Sequence, residues 1–406
     1  MSARRVRVPS LLGDPGIRRA GAPERRFLFA VPPLAGNVAP VAAVAAELAR
    51  RGHKIAWTGH RPSLEPLLRP GSRVFGAADE FGARAEAVLA RWEGLRDVPA
   101  LRFFWEEFLV PLGQAMMPGV ERAIDRFRPD AVVCDQLVLA APVAARLREI
   151  PWATAAASPA EFTRPLAGMP EVEQWVRDRI GDFQLDHGID DLLDLRFSDH
   201  LVLCFSTGAL VGDVSFFPDH FAFVGPIPGR SAPAAFPWEW LDGRPAVLVS
   251  AGMDGGAPCE GFLQAAFDAV RDMDVQAVFV APPGAVGEPP PNVLVREAVP
   301  AHKLLDRVAA VVCHGDHGTV CESLAHGRPL VVAPVRGDQP VIAGRVEAAG
   351  AGVRVPFAEA GPDELRGALA TVLEDGPHRA AAGRVRDAIG SSGGAAEAAD
   401  RLEKLG

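Results

Sequence analysis

The strongest constraint on the fold of this chain is a repeated alternation of short apolar segments with longer helical ones. RFLFAVPP at 26–33, KIAWTGH at 54–60 and DAVVCD at 130–135 have the composition of buried strands. Between the first two lies PVAAVAAELARRGH at 40–53, an Ala-rich helical pattern whose end is predicted at Gly52. A strand, a helix and a strand at this spacing form a βαβ unit, which implies a parallel sheet.

The alternation stops at residues 229–243, a stretch rich in Pro, Gly and Ala that is typical of a linker, and then restarts. We therefore predict an α/β protein of two doubly wound, Rossmann-like domains that face each other across a cleft. Nine further strands are predicted, at 151–158, 201–206, 220–226, 246–252, 276–283, 292–299, 309–314, 329–335 and 352–356. The predicted parts are a flexible N-terminal extension at 1–26, a first domain at 27–228, the linker at 229–243, a second domain at 244–385 and a C-terminal helix at 386–406.

The composition excludes several classes of protein. A chain of 406 residues with 49% hydrophobic and 23% charged residues can bury a large core, which excludes disorder as its main state. A formal net charge of -9 argues against a nucleic-acid partner, and the absence of any 18-residue apolar run argues against a transmembrane segment. The five cysteines form no CxxC pair, a pattern that favours reduced thiols in a cytoplasmic protein. No acidic pair with metal-ligand spacing is present, so no metal is predicted.

The most informative segment is AAVVCHGDHGTVCESLAHGRPLVVAPVRGDQP at 309–340. A strand ends at Cys313, Gly315 and Gly318 permit a tight turn, and Thr319 is predicted to cap the following helix. A helix N-terminus at the end of a strand binds anions, because its free N–H groups and dipole favour negative charge, and a diphosphate would fit there. The spacing alone leaves open a glycine-rich turn that binds nothing.

This segment resembles the signature of nucleotide-sugar-dependent glycosyltransferases of the GT-B fold, HxGxGT followed by E, G-P, P and DQ. The bacterial branch that glycosylates natural products and carotenoids is the better match. VPPLAGNVAP at 31–40, RGH at 51–53, CDQ at 134–136 and VPAHKLL at 299–305 also fit, in the same order, as does AVLVSAG after the linker. The resemblance implies an enzyme that moves a sugar, with inversion, from a UDP- or dTDP-sugar to a small, largely apolar natural product. It implies no cofactor apart from this donor, which is a co-substrate.

The resemblance also implies a donor site on the second domain. Its residues would be Ser250, Gly252, Val299, Pro300, His314, Gly318, Thr319, Glu322, Asp338 and Gln339. Within this set, the family pattern places Glu322 on the ribose hydroxyls and Asp338 and Gln339 on the hydroxyls of the transferred sugar. Val299 and Pro300 would lie against the base, and the others near the diphosphate.

The acceptor would then bind to the first domain, where LRFFWEEFLVPLGQAMM at 101–117 concentrates aromatic residues and Met. One interpretation is an ordinary buried helix face. The other is an apolar wall against which the acceptor lies. Different faces of the segment can serve both purposes. The candidate acceptor-binding residues are Phe103, Phe104, Trp105 and Phe108.

The chain departs from the family pattern at four positions. Asn37 stands where the family has its catalytic His, and an amide cannot take up a proton at neutral pH. Asp316 replaces a glycine beside the diphosphate, Met253 replaces a hydroxyl residue and Ala301 replaces a Gln. Asp135 does match the acid that pairs with the missing His, so the candidate catalytic residues are Asp135 and Asn37.

These departures leave three interpretations open. Asp135 acts alone as the base, through a water held by Asn37. Alternatively, the acceptor needs little deprotonation, as with an amine, a carboxylate, a thiol or an acidic phenol. Or the protein has lost ordinary transfer and serves as an auxiliary subunit or catalyses another reaction in natural-product biosynthesis. The sequence also leaves open whether the protein is a monomer or a homodimer.

Three further histidines carry expectations. His317, as a cation, would offset the charge of Asp316. His53 would satisfy the last carbonyl groups of the first helix. His60 follows the second strand and is expected to have a surface role, although it could reach the acceptor side.

Overall fold

The computed structural model describes residues 23–227, 229, 234–250, 257–282, 284–285 and 287–405. Residues 1–22 of the predicted extension and part of the predicted linker therefore lie outside the described residues, as do Gly252 and Met253. Within the described ranges, no helix is long and apolar enough to cross a membrane.

The first domain is built on a seven-stranded parallel sheet in the order β3-β2-β1-β4-β5-β6-β7. Its strands are β1 (Arg26–Ala30), β2 (Lys54–Gly59), β3 (Val74–Gly76), β4 (Ala131–Asp135), β5 (Trp152–Ala156), β6 (Val202–Cys204) and β7 (Phe221–Phe223). Its helices are α1 (Ala35–Arg50), α2 (Arg61–Leu64), α3 (Asp79–Glu93), α4 (Asp97–Phe103), α5 (Val110–Phe127), α6 (Ala140–Arg146), α7 (Pro170–Asp186) and α8 (Gly208–Val211). A π-helical segment, Phe104–Leu109, joins α4 to α5.

The second domain is built on a six-stranded parallel sheet in the order β10-β9-β8-β11-β12-β13. Its strands are β8 (Ala246–Ser250), β9 (Gln276–Val280), β10 (Val293–Arg296), β11 (Ala310–Cys313), β12 (Leu330–Val332) and β13 (Gly352–Arg354). Its helices are α9 (Ala257–Val270), α10 (Ala301–Leu305), α11 (His317–Ala325), α12 (Gln339–Ala348), α13 (Pro362–Leu373) and α14 (Pro377–Gly390).

Both sheets are covered by helices on their two faces, which explains why their strands are continuous apolar runs rather than alternating ones. Every residue of β4 and of β5 is buried. Each sheet packs an apolar core on either side, with Phe29 and Val133 on one face of the first sheet and Leu28 and Val132 on the other. The prediction of two doubly wound α/β domains is confirmed.

The C-terminal tail differs from the single helix predicted over 386–406. Helix α14 begins at Pro377 and ends at Gly390, and a separate helix, α15 (Gly394–Leu402), crosses back to pack on α1 of the first domain. Arg51, at the end of α1, donates to Asp400 at 2.5 Å and to Glu403 at 2.9 Å. Helix α15 and the residues just after it therefore pack against the first domain.

His53 also belongs to this junction, which corrects the expectation that it satisfies the last carbonyls of α1. Its Nδ1 accepts the backbone amide of Arg25 at 3.1 Å, so the ring proton lies on Nε2. That Nε2 donates to Glu403 at 2.9 Å. The histidine thus contacts the start of the first strand and the C-terminal segment.

Candidate active site between the two sheets

The loops at the carboxyl ends of the two sheets are in direct contact. The segment after β5 provides both first-domain partners: Ser158 Oγ donates to Asp338 Oδ2 at 2.6 Å, and His317 Nδ1 donates to the carbonyl of Ala157 at 2.9 Å. Gln136, which follows β4, donates to the carbonyl of Ser158 at 3.4 Å. Residues that follow β4, β5, β11 and β12 therefore meet in one cleft, where ligands bind in sheets of this kind.

Asn37 and Asp135 form a hydrogen-bonded pair on the first-domain side of the cleft. Helix α1 begins at Ala35, five residues earlier than predicted, and this places Asn37 in its first turn, close to the end of β4. Asn37 Nδ2 donates to Asp135 Oδ2 at 3.0 Å, and the amide of Leu137 donates to Oδ1 at 2.9 Å. Because Nδ2 points at the carboxylate, the amide oxygen of Asn37 points away from it, as an acceptor on a half-buried side chain.

The carboxyl group of Asp135 is only 1% exposed. Burial raises the pKa of Asp135 to about 7, although the hydrogen bonds from Asn37 and Leu137 act in the opposite direction. A carboxyl group with this pKa gains and loses its proton near neutrality, the range in which a general base works best. The pairing of these two residues agrees with their expected proximity.

The N-terminus of α11 is capped by Asp316, not by Thr319 as predicted. The backbone amide of Thr319 donates to Asp316 Oδ1 at 3.0 Å, while Asp316 Oδ2 lies 3.4 Å from His314 Nε2. Asp is among the residues most favoured at this position, because its short carboxylate satisfies a free N–H group and complements the helix dipole. A carboxylate of the protein therefore already occupies part of the predicted anion site.

His317 does not offset the charge of Asp316, which corrects the sequence-based hypothesis. Its ring is 8% exposed and turned toward the first domain, with Nε2 3.2 Å from the thiol sulfur of Cys321. Burial lowers the pKa of His317 to about 4, so the ring is neutral at pH 7. It is His314 that lies beside Asp316.

Asp338 and Gln339 lie at the start of α12. The pKa of Asp338 is raised because the carboxyl group is shielded from water, with Ser158 lowering it and the charge of Asp316 raising it further. Gln339 Oε1 accepts the backbone amides of Val335 at 2.8 Å and Arg336 at 3.1 Å. The side-chain oxygen of Gln339 thus stabilises the turn at 335–339. Its side-chain amide nitrogen is the group that can donate a hydrogen bond to a ligand.

The remaining predicted donor residues that are described lie at the same edge of the second sheet. Ser250 ends β8 and is paired with Cys313 across the sheet. Val299 and Pro300 are half-buried just before α10, and Glu322 is half-buried on α11. The predicted role of Gly252 falls outside the described residues.

Two of the four candidate aromatic residues are buried in the first-domain core, and the other two retain accessible surface. Trp105 is 3% exposed and Phe108 fully buried, and both belong to the first-domain core. For these two residues the buried-face interpretation applies, and direct contact with an acceptor would require them to move. Phe103 and Phe104 are half-buried and retain accessible surface. They lie around the start of the π-helical segment, a geometry often found at functional sites.

His60 lies outside the network of hydrogen bonds described above. Its Nδ1 lies 2.7 Å from Ser63 Oγ, one turn further along the chain. Its ring also covers Gly82, where a Cβ atom would collide with it. The residue thus packs locally against α3.

Several buried polar atoms lie at the same edges, and sequence reasoning missed three of the residues that carry them as site residues, Gln136, Ser206 and Thr207. Among the described residues, buried atoms without a hydrogen-bond partner at these strand ends are Gln136 Oε1, Ser206 Oγ, Thr207 Oγ1, His314 Nδ1 and Asp316 Oδ2. Buried polar groups are almost always paired, so these atoms are the ones that a ligand or water would satisfy. For Gln136, Ser206 and Thr207, the signal in the sequence that could have found them was their position directly after apolar strand patterns.

Comparison with known proteins agrees with this architecture. Residues 264–405 match the family described as erythromycin biosynthesis protein CIII-like, C-terminal domain. The chain is 28% identical to 4'-demethylrebeccamycin synthase of Lentzea aerocolonigenes, over 94% of this chain and 99% of that protein. It is 29% identical to demethyllactenocin mycarosyltransferase of Streptomyces fradiae, over 99% of this chain and 93% of that protein.

A solved structure extends the similarity to three dimensions. The spinosyn rhamnosyltransferase SpnG complexed with thymidine diphosphate matches with a TM-score of 0.73 and 23% identity. The match covers 93% of this chain and all of the other one. Both parallel-sheet domains are therefore shared, in the same arrangement along the chain.

Proposed function

We propose that this chain, a glycosyltransferase of the GT-B fold, transfers a sugar from a UDP- or dTDP-sugar to a small, largely apolar natural product with inversion at the anomeric carbon. The observation that carries the proposal is the hydrogen-bonded pair of half-buried Asn37 and buried Asp135, beside the cleft in which the N-terminus of α11 also lies. A proton acceptor and an anion site on opposite domains are the two elements that such a transfer needs.

The diphosphate of the donor would bind at the N-terminus of α11. The amides near Gly318 and Thr319 and the helix dipole favour its negative charge and stabilise it as a leaving group. Because Asp316 now accepts the amide of Thr319, its side chain has to turn away when the donor binds. That side chain is 39% exposed, so it can rotate into water. Glu322 suits the ribose diol, since a carboxylate accepts hydrogen bonds from hydroxyl groups and repels phosphate.

The proton would leave the acceptor through a water molecule beside Asn37. This water would donate one hydrogen bond to the amide oxygen of Asn37 and one to the carboxylate of Asp135, so that it receives the acceptor proton and passes one of its own to Asp135. The acceptor lone pair forms the new bond to the anomeric carbon. The bond from that carbon to the diphosphate oxygen breaks, and its electron pair stays on the nucleoside diphosphate. Acceptors that need little deprotonation, such as amines and acidic phenols, place the smallest demand on this route.

Nucleotide binding tests the proposal. We expect millimolar UDP or dTDP to raise the melting temperature, because a ligand at 100 times its Kd stabilises the folded state by about 2.7 kcal/mol. Glu322→Gln should weaken the binding, whereas Glu359→Gln, on an exposed residue of the same domain, should not. If neither nucleotide stabilises the protein, the transferase function is wrong and an auxiliary role is favoured.

A further inference from the structure

Trp92, near the end of α3, is the first-domain residue that connects the aromatic segment to the cleft. Its indole Nε1 donates to the carbonyl of Ala100 at 3.0 Å, which fixes the ring. The ring stacks on Phe104, with centroids 4.8 Å apart and planes inclined by 29°. Phe104 in turn stacks on the buried Phe108, with centroids 5.2 Å apart. These three rings, which we call the aromatic stack, run from the first-domain core to the domain boundary.

The second domain rests on the outer end of this stack. The guanidinium carbon of Arg336 lies 5.5 Å from the centroid of the Trp92 ring, a cation–π distance. Gly337 follows with a φ of +62°, and a Cβ atom there would lie 3.2 Å from Trp92 Cη2. The turn at residues 335–339 therefore passes so close to the indole that a side chain at Gly337 would crowd it.

The same turn leads directly to the residues proposed to bind the sugar. Asp338 follows Gly337 and is held by Ser158 of the first domain at 2.6 Å. Gln339 closes the turn through its hydrogen bonds to Val335 and Arg336. The 335–339 turn is thus held by the first domain at two points, Trp92 on one side and Ser158 on the other.

We propose that Trp92 is a positioning residue that couples the acceptor side of the cleft to the 335–339 turn and thereby sets where Asp338 and Gln339 meet the sugar. An apolar acceptor lying against Phe103 and Phe104 would contact the aromatic stack. Because Trp92 contacts Arg336 and Gly337, a shift of its ring would displace Asp338, the next residue along the chain. The contact itself is independent of the reaction. Its consequence for sugar binding rests on the proposed function.

Hydrogen–deuterium exchange tests the contact without any ligand. We expect Trp92→Leu to increase exchange in peptides covering 335–341 by about fivefold or more, because the turn loses its support. Trp92→Phe keeps an aromatic face and should restore most of the protection. The matched control is Trp175→Leu, since Trp175 is also half-buried and lies 5.2 Å from the Arg102 guanidinium carbon, but on the outer helix α7. Equal exchange in wild type and Trp92→Leu would overturn the proposal.

Calorimetry separates positioning from a general loss of structure. The probes are UDP, UDP-glucose, dTDP and dTDP-glucose. We expect Trp92→Leu to leave the affinity for UDP and dTDP within twofold of wild type. The affinity for UDP-glucose and dTDP-glucose should fall several-fold more than the affinity for the nucleotides alone. An equal loss for nucleotide and nucleotide sugar would show a merely structural role and overturn the proposal. If the wild type binds no nucleotide, the proposed function fails, and the exchange measurement still decides the coupling.

Discussion

The strands β4 and β11 hold equivalent places in their sheets, and each has an aspartate at or near its carboxyl end, but the two aspartates lie in different environments. Asp135, at the end of β4, is sealed from water, so burial favours its neutral form. Asp316, three residues beyond the end of β11, is 39% exposed and caps a helix, where N–H groups and the dipole favour its charge. The first is poised to exchange a proton, and the second places a helix-capping carboxylate in an anion site. The same side chain has different chemistry because its surroundings differ.

The largest effect is expected from Asp135→Asn, which removes the proton acceptor but keeps the shape of the side chain. We expect kcat to fall by about 10²–10⁴, the usual contribution of a general base. Affinity for UDP or dTDP should stay within twofold, because the anion site lies on the other domain. Initial rates of nucleotide release and calorimetry measure the two quantities. The exposed Asp178→Asn is the control, and full activity in Asp135→Asn would refute the role of Asp135 as base.

The second prediction concerns the pH dependence of stability. A carboxyl group whose pKa rises from 3.8 unfolded to about 7 folded binds more protons in the folded state between these pH values. The free energy of unfolding should therefore decrease from pH 4 to pH 7, by up to about 4 kcal/mol from this group. Urea unfolding of wild type and Asp135→Asn at pH 5 and pH 8 measures the difference. The variant should lose less stability than wild type over this range, and parallel behaviour would contradict the assignment.

Asn37→His has the opposite purpose to Asp135→Asn, because it supplies a second titratable group beside Asp135 instead of removing the first. An imidazole that donates to Asp135 can take a proton from the acceptor with its other nitrogen. We expect transfer to a phenolic acceptor to rise by up to about 10², the lower end of a general base contribution. Asn37→Ala is the control, since it opens the same space without a base. An unchanged rate in Asn37→His would show that the base is not what limits this enzyme.

The smallest effect is expected from Asp316→Asn, which keeps a side chain that can cap the helix but removes its charge. We expect affinity for UDP or dTDP to rise about tenfold, corresponding to about 1.4 kcal/mol of relieved repulsion. The gain should shrink at high salt, because the charges are partly exposed. Calorimetry at two ionic strengths measures it. An unchanged affinity in Asp316→Asn would contradict the expected repulsion between this carboxylate and the bound diphosphate.

The alternation of apolar and helical segments was sufficient to predict twelve of the strands, since a buried parallel strand has a local signature that survives without its neighbours. Strand β3, Val74–Gly76, was missed because three half-buried residues at a sheet edge carry too little pattern. The start of α1 was placed too late because Pro40 lies inside the helix, where it usually marks a boundary.

The signature at 309–340 similarly allowed six of the ten candidate donor residues to be named, because these six lie close together in the chain. Partners far apart in sequence were decided by tertiary packing, within the first domain for Asn37 with Asp135, and between the domains for Ser158 with Asp338 and Trp92 with Arg336. Tertiary packing also buries Asp135 and His317, which sets the protonation of both side chains. Local periodicity encodes which segments are strands and helices. Desolvation and long-range contacts, which determine the chemistry of the site, exist only once those segments have assembled.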